Sequence, residues 1–184
     1  MPPRKLPDDP APWTVVSSRY LFQKPPWLTL RQDHFRLPSG RDIPEYWISE
    51  FPPWVNVVAV TPADELLMVR QYRPGLGEVH WEIPAGVVDP EDPDLESAAR
   101  RELAEETGLR GGDWEQVSEF FTSAGFTDER VHLFLATGLE PGEASLDDDE
   151  ELEVVRVPLS EVPGLIHEVT DAKTLIGLLL LARL

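Results

Sequence analysis

Three glutamates and one arginine lie within six consecutive positions, Arg101-Glu102-Leu103-Ala104-Glu105-Glu106. On an α-helix each residue advances about 100°, so the carboxylates of Glu102, Glu105 and Glu106 share a sector of roughly 100°. Carboxylates at this spacing repel one another, and Arg101 is placed to compensate only Glu105, one helical turn away. Oxygen donors without cysteine or a neighbouring histidine favour Mg²⁺ or Mn²⁺ over zinc. Taken alone, the cluster predicts either a divalent-metal site or a solvated acidic helix face.

A metal site of this kind has a definite use in phosphate chemistry. A divalent ion can bridge pyrophosphate oxygens, neutralise charge that develops on a leaving phosphate and lower the pKa of a bound water. The glutamates need a helix to present them, and the sequence supplies signals for both helix ends. Asp92 is predicted as the N-cap with Pro93 at the first helical position, and Gly108 suits the left-handed position after a helix that ends near Thr107.

The longer pattern from Gly86 to Leu109 resembles the Nudix box, the signature of hydrolases that cleave nucleoside diphosphates linked to another moiety. The resemblance implies that Glu102 and Glu106 bind the metal ion directly. It also implies a third ligand or water-mediated partner in Glu105, held by Arg101, and a fourth in the backbone carbonyl of Ala85.

One residue more than in the family pattern separates Gly86 from Arg101, and Pro93 stands where the family carries a glutamate. An insertion between Asp89 and Asp94 accounts for both departures. It leaves Glu91 or Asp92 as the shifted acid, and we expect it to lengthen the loop while the helix keeps its register.

Two flanking motifs resemble the ADP-ribose and nucleotide-sugar pyrophosphatase branch of the family, and the resemblance spans roughly residues 18 to 182. The first contains Arg70 and Arg73, whose guanidinium groups match phosphate oxygens and are expected to grip a diphosphate. An edge salt bridge is the alternative role for each. The second runs from Trp81 to Gly86 and places Glu82 next to the box, where it is expected to bind substrate or support the ligands.

Two acidic loops complete the expected site. The stretch Thr122–Glu129 resembles the substrate loop of ADP-ribose pyrophosphatases, with Ala124 where those enzymes carry proline, and Glu129 is expected to touch the terminal ribose or the water network. The stretch Asp147–Glu151 is expected to supply a general base or a ligand for a metal that arrives with substrate. By resemblance this is Glu150, with Glu151 as the second choice; a solvated acidic loop is the alternative.

The order of elements predicts an α+β protein with the Nudix fold, a mixed central sheet sandwiched between helices, preceded by a small N-terminal antiparallel sheet. Two closing helices are predicted, at Ser160–Glu168 and Asp171–Leu184. Residues 1–12 are rich in proline and charge and are expected to be flexible. Residues 13–51 are expected to form the N-terminal β subdomain, which is swapped across a homodimer in relatives, and residues 52–184 the hydrolase domain. Aromatic side chains could stack on the nucleobase; the candidates are Trp27, Trp47 and Trp54.

Composition excludes several classes of protein. The chain has 184 residues, no cysteine and a formal net charge of −18, which excludes a thiolate nucleophile and disfavours binding to nucleic acid. Its longest apolar stretch, near Leu175–Leu184, is too short to span a bilayer, and no signal peptide is evident, so a cytoplasmic location is expected.

The sequence therefore predicts a Mg²⁺-dependent enzyme, with Mn²⁺ as an alternative ion, that hydrolyses ADP-ribose to AMP and ribose 5-phosphate. The first alternative is the same chemistry on another nucleoside diphosphate sugar such as GDP-mannose. The second alternative, a Nudix-fold sensor without catalysis, is disfavoured because Glu102, Glu105 and Glu106 are all present. A transcriptional sensor would also need a basic DNA-binding segment, and the sequence has none.

Overall fold

The computed structural model describes residues 6–146 and 151–183. The chain forms two compact units. The first comprises the residues up to Phe51 together with Ser123–Asp128, and the second comprises Pro52–Thr122 and the residues from Glu129 onward.

The first unit is a three-stranded antiparallel sheet in the order β1-β2-β3, formed by Thr14–Lys24, Leu28–Arg36 and Asp42–Glu50. Every residue of β1 is exposed. The segment Ser123–Asp128 joins this unit through main-chain hydrogen bonds, because the Ser49 N–H donates to the Phe126 carbonyl at 2.8 Å. The Phe51 N–H donates to Asp128 Oδ1 at 2.9 Å. Most of the predicted substrate loop is therefore part of the N-terminal unit.

In its described residues, the second unit contains two sheets and three α-helices. One sheet has the order β10-β5-β6 and the other β7-β4-β9-β8. The strands are β4 (Trp54–Ala59), β5 (Glu65–Arg73), β6 (Glu78–Glu82), β7 (Ala85–Val87), β8 (Leu109–Phe121), β9 (Arg130–Pro141) and β10 (Leu152–Pro158). The helices are α1 (Leu95–Thr107), α2 (Val162–Leu165) and α3 (Ala172–Leu181).

The α+β class predicted from the sequence is confirmed. Strand β4 pairs parallel to β9 and antiparallel to β7, so the four-stranded sheet is mixed. Alternate side chains of β4 enter two different cores: Val57 packs with Leu103 of α1, whereas Val58 packs with Leu178 of α3. Because alternate residues of a strand face opposite sides, α1 and α3 cover opposite faces of this sheet.

Two predictions about helix limits are wrong. The N-cap of α1 is Asp94, whose side chain accepts the Ser97 N–H at 2.7 Å, and not Asp92. The insertion moves Asp92 back into the loop, where it has other partners. The helix predicted over 160–168 is only a 3₁₀ turn at Leu159–Glu161 followed by the single turn α2, since Pro163 and Gly164 are poor helix formers.

Two other predictions about helix ends agree with the structure. Gly108 ends α1 with φ +73°, the left-handed conformation predicted for the position after Thr107. Helix α3 begins after Asp171, which caps it through a hydrogen bond from the Thr174 N–H at 2.8 Å. Within the described ranges, no helix is both long enough and apolar enough to cross a membrane. The cytoplasmic location stays a prediction.

Candidate active site

Arg101 connects the box helix to the loop before it. Its Nη1 donates to Glu102 Oε1 and to Glu105 Oε2, both at 2.9 Å. Its Nη2 donates to Asp92 Oδ2 at 2.9 Å and to the Val87 carbonyl at 3.0 Å. The expectation that Arg101 compensates only one glutamate is therefore wrong, because a guanidinium carries five N–H donors and can serve several acceptors at once.

Asp92 is the shifted acid that the sequence left open between positions 91 and 92. It accepts hydrogen bonds from Arg101 and from the Asp89 N–H. The hydrogen bond from Arg101 is the main cause that holds the pKa of Asp92 below its ordinary value. The same contact, with added attraction from Glu102 and hydrogen bonds to both glutamates, raises the pKa of Arg101 well above its usual range. This charge network fixes the loop to the helix.

The Glu102 carboxylate occupies the space where any residue other than glycine at position 86 would place its Cβ. A Cβ at Gly86 would lie 2.0 Å from the Glu102 carboxyl carbon and 2.1–2.2 Å from its oxygens. A side chain at Gly86 would therefore require the Glu102 carboxylate to move, so the glycine at position 86 keeps Glu102 in its present place.

The backbone of Ala85 turns toward the box helix. Its N–H donates to Oε2 of Glu106, a carboxylate only 3% exposed, at 3.3 Å. Ala85 pairs with Asn56 of β4, but the hydrogen bond between these strands runs from the Val57 N–H to the Pro84 carbonyl at 2.8 Å. Since hydrogen-bonded and non-hydrogen-bonded pairs alternate, both polar backbone groups of Ala85 point away from β4.

The neighbouring carbonyl on β7 supports this orientation, because Arg101 reaches the Val87 oxygen from the same side. Strand β7 is at the end of its sheet, so this side faces no other strand of the sheet. The Ala85 carbonyl consequently points toward the edge that also carries Glu106 and Arg101. This is the geometry that a backbone metal ligand requires.

Arg73 and Glu82 form a two-point ion pair across β5 and β6. Arg73 Nε and Nη2 donate to the two oxygens of Glu82, each at 2.7 Å, and Glu82 is 4% exposed. Hydrogen bonds to Glu82 are the main cause that raises the pKa of Arg73, and the charges of Asp171 and Glu106 add to the effect. The structure therefore brings Arg73, Glu82 and the box carboxylate Glu106 into one electrostatic neighbourhood.

Arg70 lies on the other face of the same strand. It is three residues from Arg73 in a stretch with regular pairing, so the two side chains point to opposite sides of the sheet. Arg70 lies over the Trp81 ring, 5.3 Å from its centroid, and donates to Glu153 at 3.0 Å. Arg70 is half-buried, whereas its partner Glu153 is 68% exposed. The structure does not bring Arg70 together with Arg73.

Of the three loop glutamates that the sequence singled out, the structure describes Glu129 and Glu151. Glu129 is half-buried at the end of the substrate loop, and its carbonyl accepts the Thr122 N–H at 3.3 Å. Glu150 lies outside the described residues, and Glu151 is exposed immediately before β10. Ser145, which precedes the acidic stretch, is attached to the box helix, because its N–H donates to the Glu105 carbonyl at 2.9 Å.

The family is decided by comparison with known proteins. Residues 50–176 match the NUDIX domain model, and residues 13–47 match the model of the nucleoside diphosphate sugar hydrolase N-terminal domain. The chain belongs to the Nudix family. The family, the fold class and the assignment as a hydrolase that the sequence predicted are thereby confirmed.

Three relatives illustrate the range of proteins that this Nudix chain resembles. It is 40% identical to ADP-ribose pyrophosphatase of Bacillus subtilis over 80% of each chain. It is 39% identical to the methanol dehydrogenase activator of Bacillus methanolicus, over 80% of this chain and 81% of that protein. A GDP-mannose pyrophosphatase of Cronobacter sakazakii is 36% identical over 50% of each chain.

A solved structure supports the fold alone. The crystal structure of an ADP compounds hydrolase superposes with a TM-score of 0.83, covering 95% of this chain and 94% of that one, at 22% identity.

Nudix hydrolases generally need a divalent metal. In the described part of this chain, no group of three or more histidine, cysteine, aspartate or glutamate side chains is already arranged around one point as a metal site. Arg101 draws Glu102 and Glu105 toward itself, and Glu106 accepts the Ala85 N–H. The donor chemistry nevertheless fits a hard cation, since carboxylates from one helix adjoin a carbonyl that points to the same edge.

The sequence did not point to two residues at the start of α3 that reach the site region, the N-cap Asp171 and Thr174. Asp171 contributes to the raised pKa of Arg73. Thr174 is fully buried, and its hydroxyl oxygen accepts the Ile83 N–H at 3.1 Å. An Asp-x-x-Thr sequence at a helix start is a recognisable capping pattern, but nothing local indicates that this helix end packs against the segment before the box.

Proposed function

We propose that this Nudix hydrolase cleaves the pyrophosphate bond of ADP-ribose, giving AMP and ribose 5-phosphate, with Mg²⁺ as its ion and Mn²⁺ as a substitute. The observation that carries the proposal is the convergence of Glu102, Glu106 and the Ala85 carbonyl at one edge, with Arg73 within electrostatic reach. A carboxylate site beside a guanidinium fits a substrate that is a metal-bound diphosphate. The Bacillus subtilis relative supports the choice of ADP-ribose.

Glu102, Glu105, Glu106 and the Ala85 carbonyl would hold the ion. When bound, it supplies charge neutralisation for the pyrophosphate and acidifies water. Arg101 acts on the protein side: one of its nitrogens donates to both Glu102 and Glu105 and keeps the two carboxylates next to each other before an ion is present. The charged groups are thus already gathered on one side of the helix, and only their oxygens would have to turn from Arg101 to the ion.

The substrate groups are assigned in the same way. Arg73 contacts the diphosphate, and Glu82 keeps the guanidinium plane in place through its two-point pair. We retain Arg70 and Glu129 as substrate contacts and Glu150 as the general base, with Glu151 as the alternative base, on the sequence resemblance. Arg70 would have to act from the face opposite Arg73.

GDP-mannose is the second candidate substrate, and one residue favours it. Ala124 stands in the substrate loop where the ADP-ribose pyrophosphatases carry proline. Replacing proline removes a backbone constraint, so the loop can accommodate a different sugar. A relative named GDP-mannose pyrophosphatase supports keeping this candidate.

We also propose that the active form is a homodimer assembled through the N-terminal sheet. Strand β1 is exposed along its whole length, and large apolar side chains of this unit reach solvent, among them Tyr20, Phe22, Trp27 and Trp47 at 50%, 51%, 67% and 48% exposure. An apolar surface of this kind is typical of a protein–protein contact. Sedimentation of the purified chain tests it, and a monomer at micromolar concentration would contradict it.

The substrate assignment is tested with a panel of ADP-ribose, GDP-mannose, UDP-glucose, FAD and diadenosine tetraphosphate, each with Mg²⁺, Mn²⁺ or EDTA. The readout is the nucleotide products, separated from the substrate by ion-exchange chromatography, a measurement that does not itself depend on a metal ion. We expect the highest kcat/KM for ADP-ribose and no turnover in EDTA. A preference for GDP-mannose would overturn the substrate assignment alone, whereas no turnover of any nucleotide would overturn the enzymatic proposal.

A further inference from the structure

The segment Glu82–Ala85, which connects β6 to β7, is held at each of its four positions by a different element. The links run from Arg73 of β5 to Glu82 at 2.7 Å, from Ile83 to Thr174 of α3 at 3.1 Å, from Val57 of β4 to Pro84 at 2.8 Å, and from Ala85 to Glu106 of α1 at 3.3 Å. Two of these links end on groups of the proposed site. The other two position the backbone between them.

Thr174 provides the hydrogen bond to the backbone N–H of Ile83, and the contact is dry. Both Thr174 and Ile83 are 0% exposed, so water cannot replace the threonine oxygen as acceptor. A buried backbone N–H without an acceptor is strongly unfavourable. Pro84 has no N–H, so the Ile83 N–H is the last backbone donor before that of Ala85, which donates to Glu106. The position of Ile83 therefore depends on the threonine hydroxyl.

Helix α3 is fixed closely enough to impose that position. Asp171 caps the helix by accepting the Thr174 N–H at 2.8 Å. One turn further on, a Cβ at Gly177 would lie 2.9 Å from Ile83 Cδ1 and 3.1 Å from Val58 Cγ2, so the helix backbone lies directly on the sheet. Side chain and main chain of Ile83 are thus both held by one face of α3.

We propose that Thr174 is a positioning residue for the hydrolase: its hydroxyl fixes Ile83 and thereby sets the direction of the Ala85 carbonyl and the Glu82 carboxylate. The inference rests on the proposed function, in which Ala85 binds the ion and Glu82 orients Arg73. Groups that orient a metal ligand without touching the ion typically change metal affinity or activity by about 10–100-fold when removed. Thr174 binds the Ile83 N–H, and only two peptide units, Ile83–Pro84 and Pro84–Ala85, separate that N–H from the Ala85 carbonyl. This separation is short enough for an effect of that kind.

The test compares three variants. Thr174→Val keeps the shape of the side chain and removes the acceptor, while Thr174→Ser keeps the acceptor. Thr61→Val is the matched control, because Thr61 is 5% exposed and accepts the Ala63 N–H at 3.3 Å in the turn after β4. Each is measured for Mn²⁺ affinity by electron paramagnetic resonance without nucleotide, for exchange of the Ile83 amide hydrogen by NMR, and for kcat and KM.

We expect Thr174→Val to bind Mn²⁺ about 10–100-fold more weakly, with faster Ile83 exchange, and Thr174→Ser to stay within about threefold of the unsubstituted chain. Thr61→Val should lose stability and keep its Mn²⁺ affinity. Unchanged Mn²⁺ affinity in folded Thr174→Val would overturn the inference, as would an equal loss in Thr61→Val. If Thr174→Val does not fold, Thr174→Ala replaces it, since alanine also removes the hydroxyl that accepts the Ile83 N–H, and unchanged Mn²⁺ affinity there is equally contradictory.

Glu102→Gln separates this inference from the proposed function. If the unsubstituted chain binds Mn²⁺ no better than Glu102→Gln, the proposed metal site fails and the role of Thr174 fails with it. If Glu102→Gln weakens binding and Thr174→Val does not, only the role of Thr174 is overturned.

Discussion

The box helix and the strand pair β5–β6 each place an arginine among carboxylates, but they use it differently. Arg101 distributes its donors over Glu102, Glu105, Asp92 and a backbone carbonyl. Arg73 directs two donors to the two oxygens of one buried partner, Glu82. The first arrangement can yield carboxylate oxygens to an arriving cation, since no single contact holds it together. The second is rigid and leaves its geometry unchanged.

This difference implies a division of labour. If the box carboxylates hold the ion, changes there should lower kcat and metal affinity together. If the strand pair positions the diphosphate, changes there should mainly raise KM. Kinetic measurements on variants in the two regions therefore test whether the regions differ in this way.

The largest effect is expected for Glu106→Gln. The amide still accepts the Ala85 N–H, so the fold should persist while the charge that binds the ion is lost. Loss of a ligand removes several kcal/mol of charge stabilisation, which lowers kcat about 10²–10³-fold. Steady-state kinetics across a Mg²⁺ titration measures it. Glu96→Gln on the same helix is the control, and an equal loss in both would contradict a metal role for Glu106.

Gly86→Ala should follow in size. Its methyl group would lie 2.0 Å from the Glu102 carboxyl carbon, so Glu102 must leave its place. A misplaced catalytic group costs about 10²-fold in rate, and we expect that fall in kcat with a weaker Mg²⁺ dependence. Gly75→Ala meets nothing within 4 Å and should be neutral. Normal activity of Gly86→Ala would mean that catalysis does not require Glu102 in the position it has in this structure.

The two regions also differ in how far the sequence could predict them. The glutamates of α1 are separated by helical spacings, so local periodicity was enough to group them. The pair of Arg73 with Glu82 depends on the register of two strands, which residue types alone do not give. The placement of Arg70 and Arg73 on opposite faces could be predicted, because an odd number of positions separates them along one strand.

The helix start shows the same limit. Asp92 and Asp94 are both good N-caps beside Pro93, and the choice between them was made by Arg101, which binds Asp92 in the loop. A charge network formed by tertiary contacts thus decided a local feature. Likewise Thr174 is 91 positions from its partner Ile83, and no periodic pattern connects them.

Arg73→Lys tests the strand pair. Lysine keeps the charge and cannot form the two-point pair, so the diphosphate contact becomes loosely held. Loss of one charge-assisted hydrogen bond should raise KM about tenfold with little change in kcat. Arg70→Lys on the opposite face is the comparison: Arg70 is retained as a substrate contact, but its partner Glu153 is 68% exposed, so that ion pair contributes less than about 1 kcal/mol and KM should rise less than in Arg73→Lys. If both variants raise KM equally, the two arginines act together and the face-based distinction fails.

The smallest effect is expected for Asp92→Asn, which tests whether the position of Arg101 depends on one hydrogen-bond acceptor or on several. The pKa of Asp92 is lowered in the folded chain, chiefly by Arg101, so its ionised form stabilises the fold above the ordinary pKa of about 3.8. That contribution is lost as the pH falls from this value through the lower folded one. Asp92→Asn should therefore lose about 1–3 kcal/mol of unfolding free energy at pH 7 and progressively less toward pH 3.

Urea unfolding at several pH values measures this, with Asp89→Asn as the control, because Asp89 is 53% exposed and 3.4 Å from Arg101. The kinetic result completes the comparison of the two regions. With Asp92 removed, Arg101 still has Glu102, Glu105 and the Val87 carbonyl as acceptors, so kcat should fall by less than it does in Gly86→Ala. A fall as large as that of Glu106→Gln would mean that Arg101 depends on one partner, as Arg73 does.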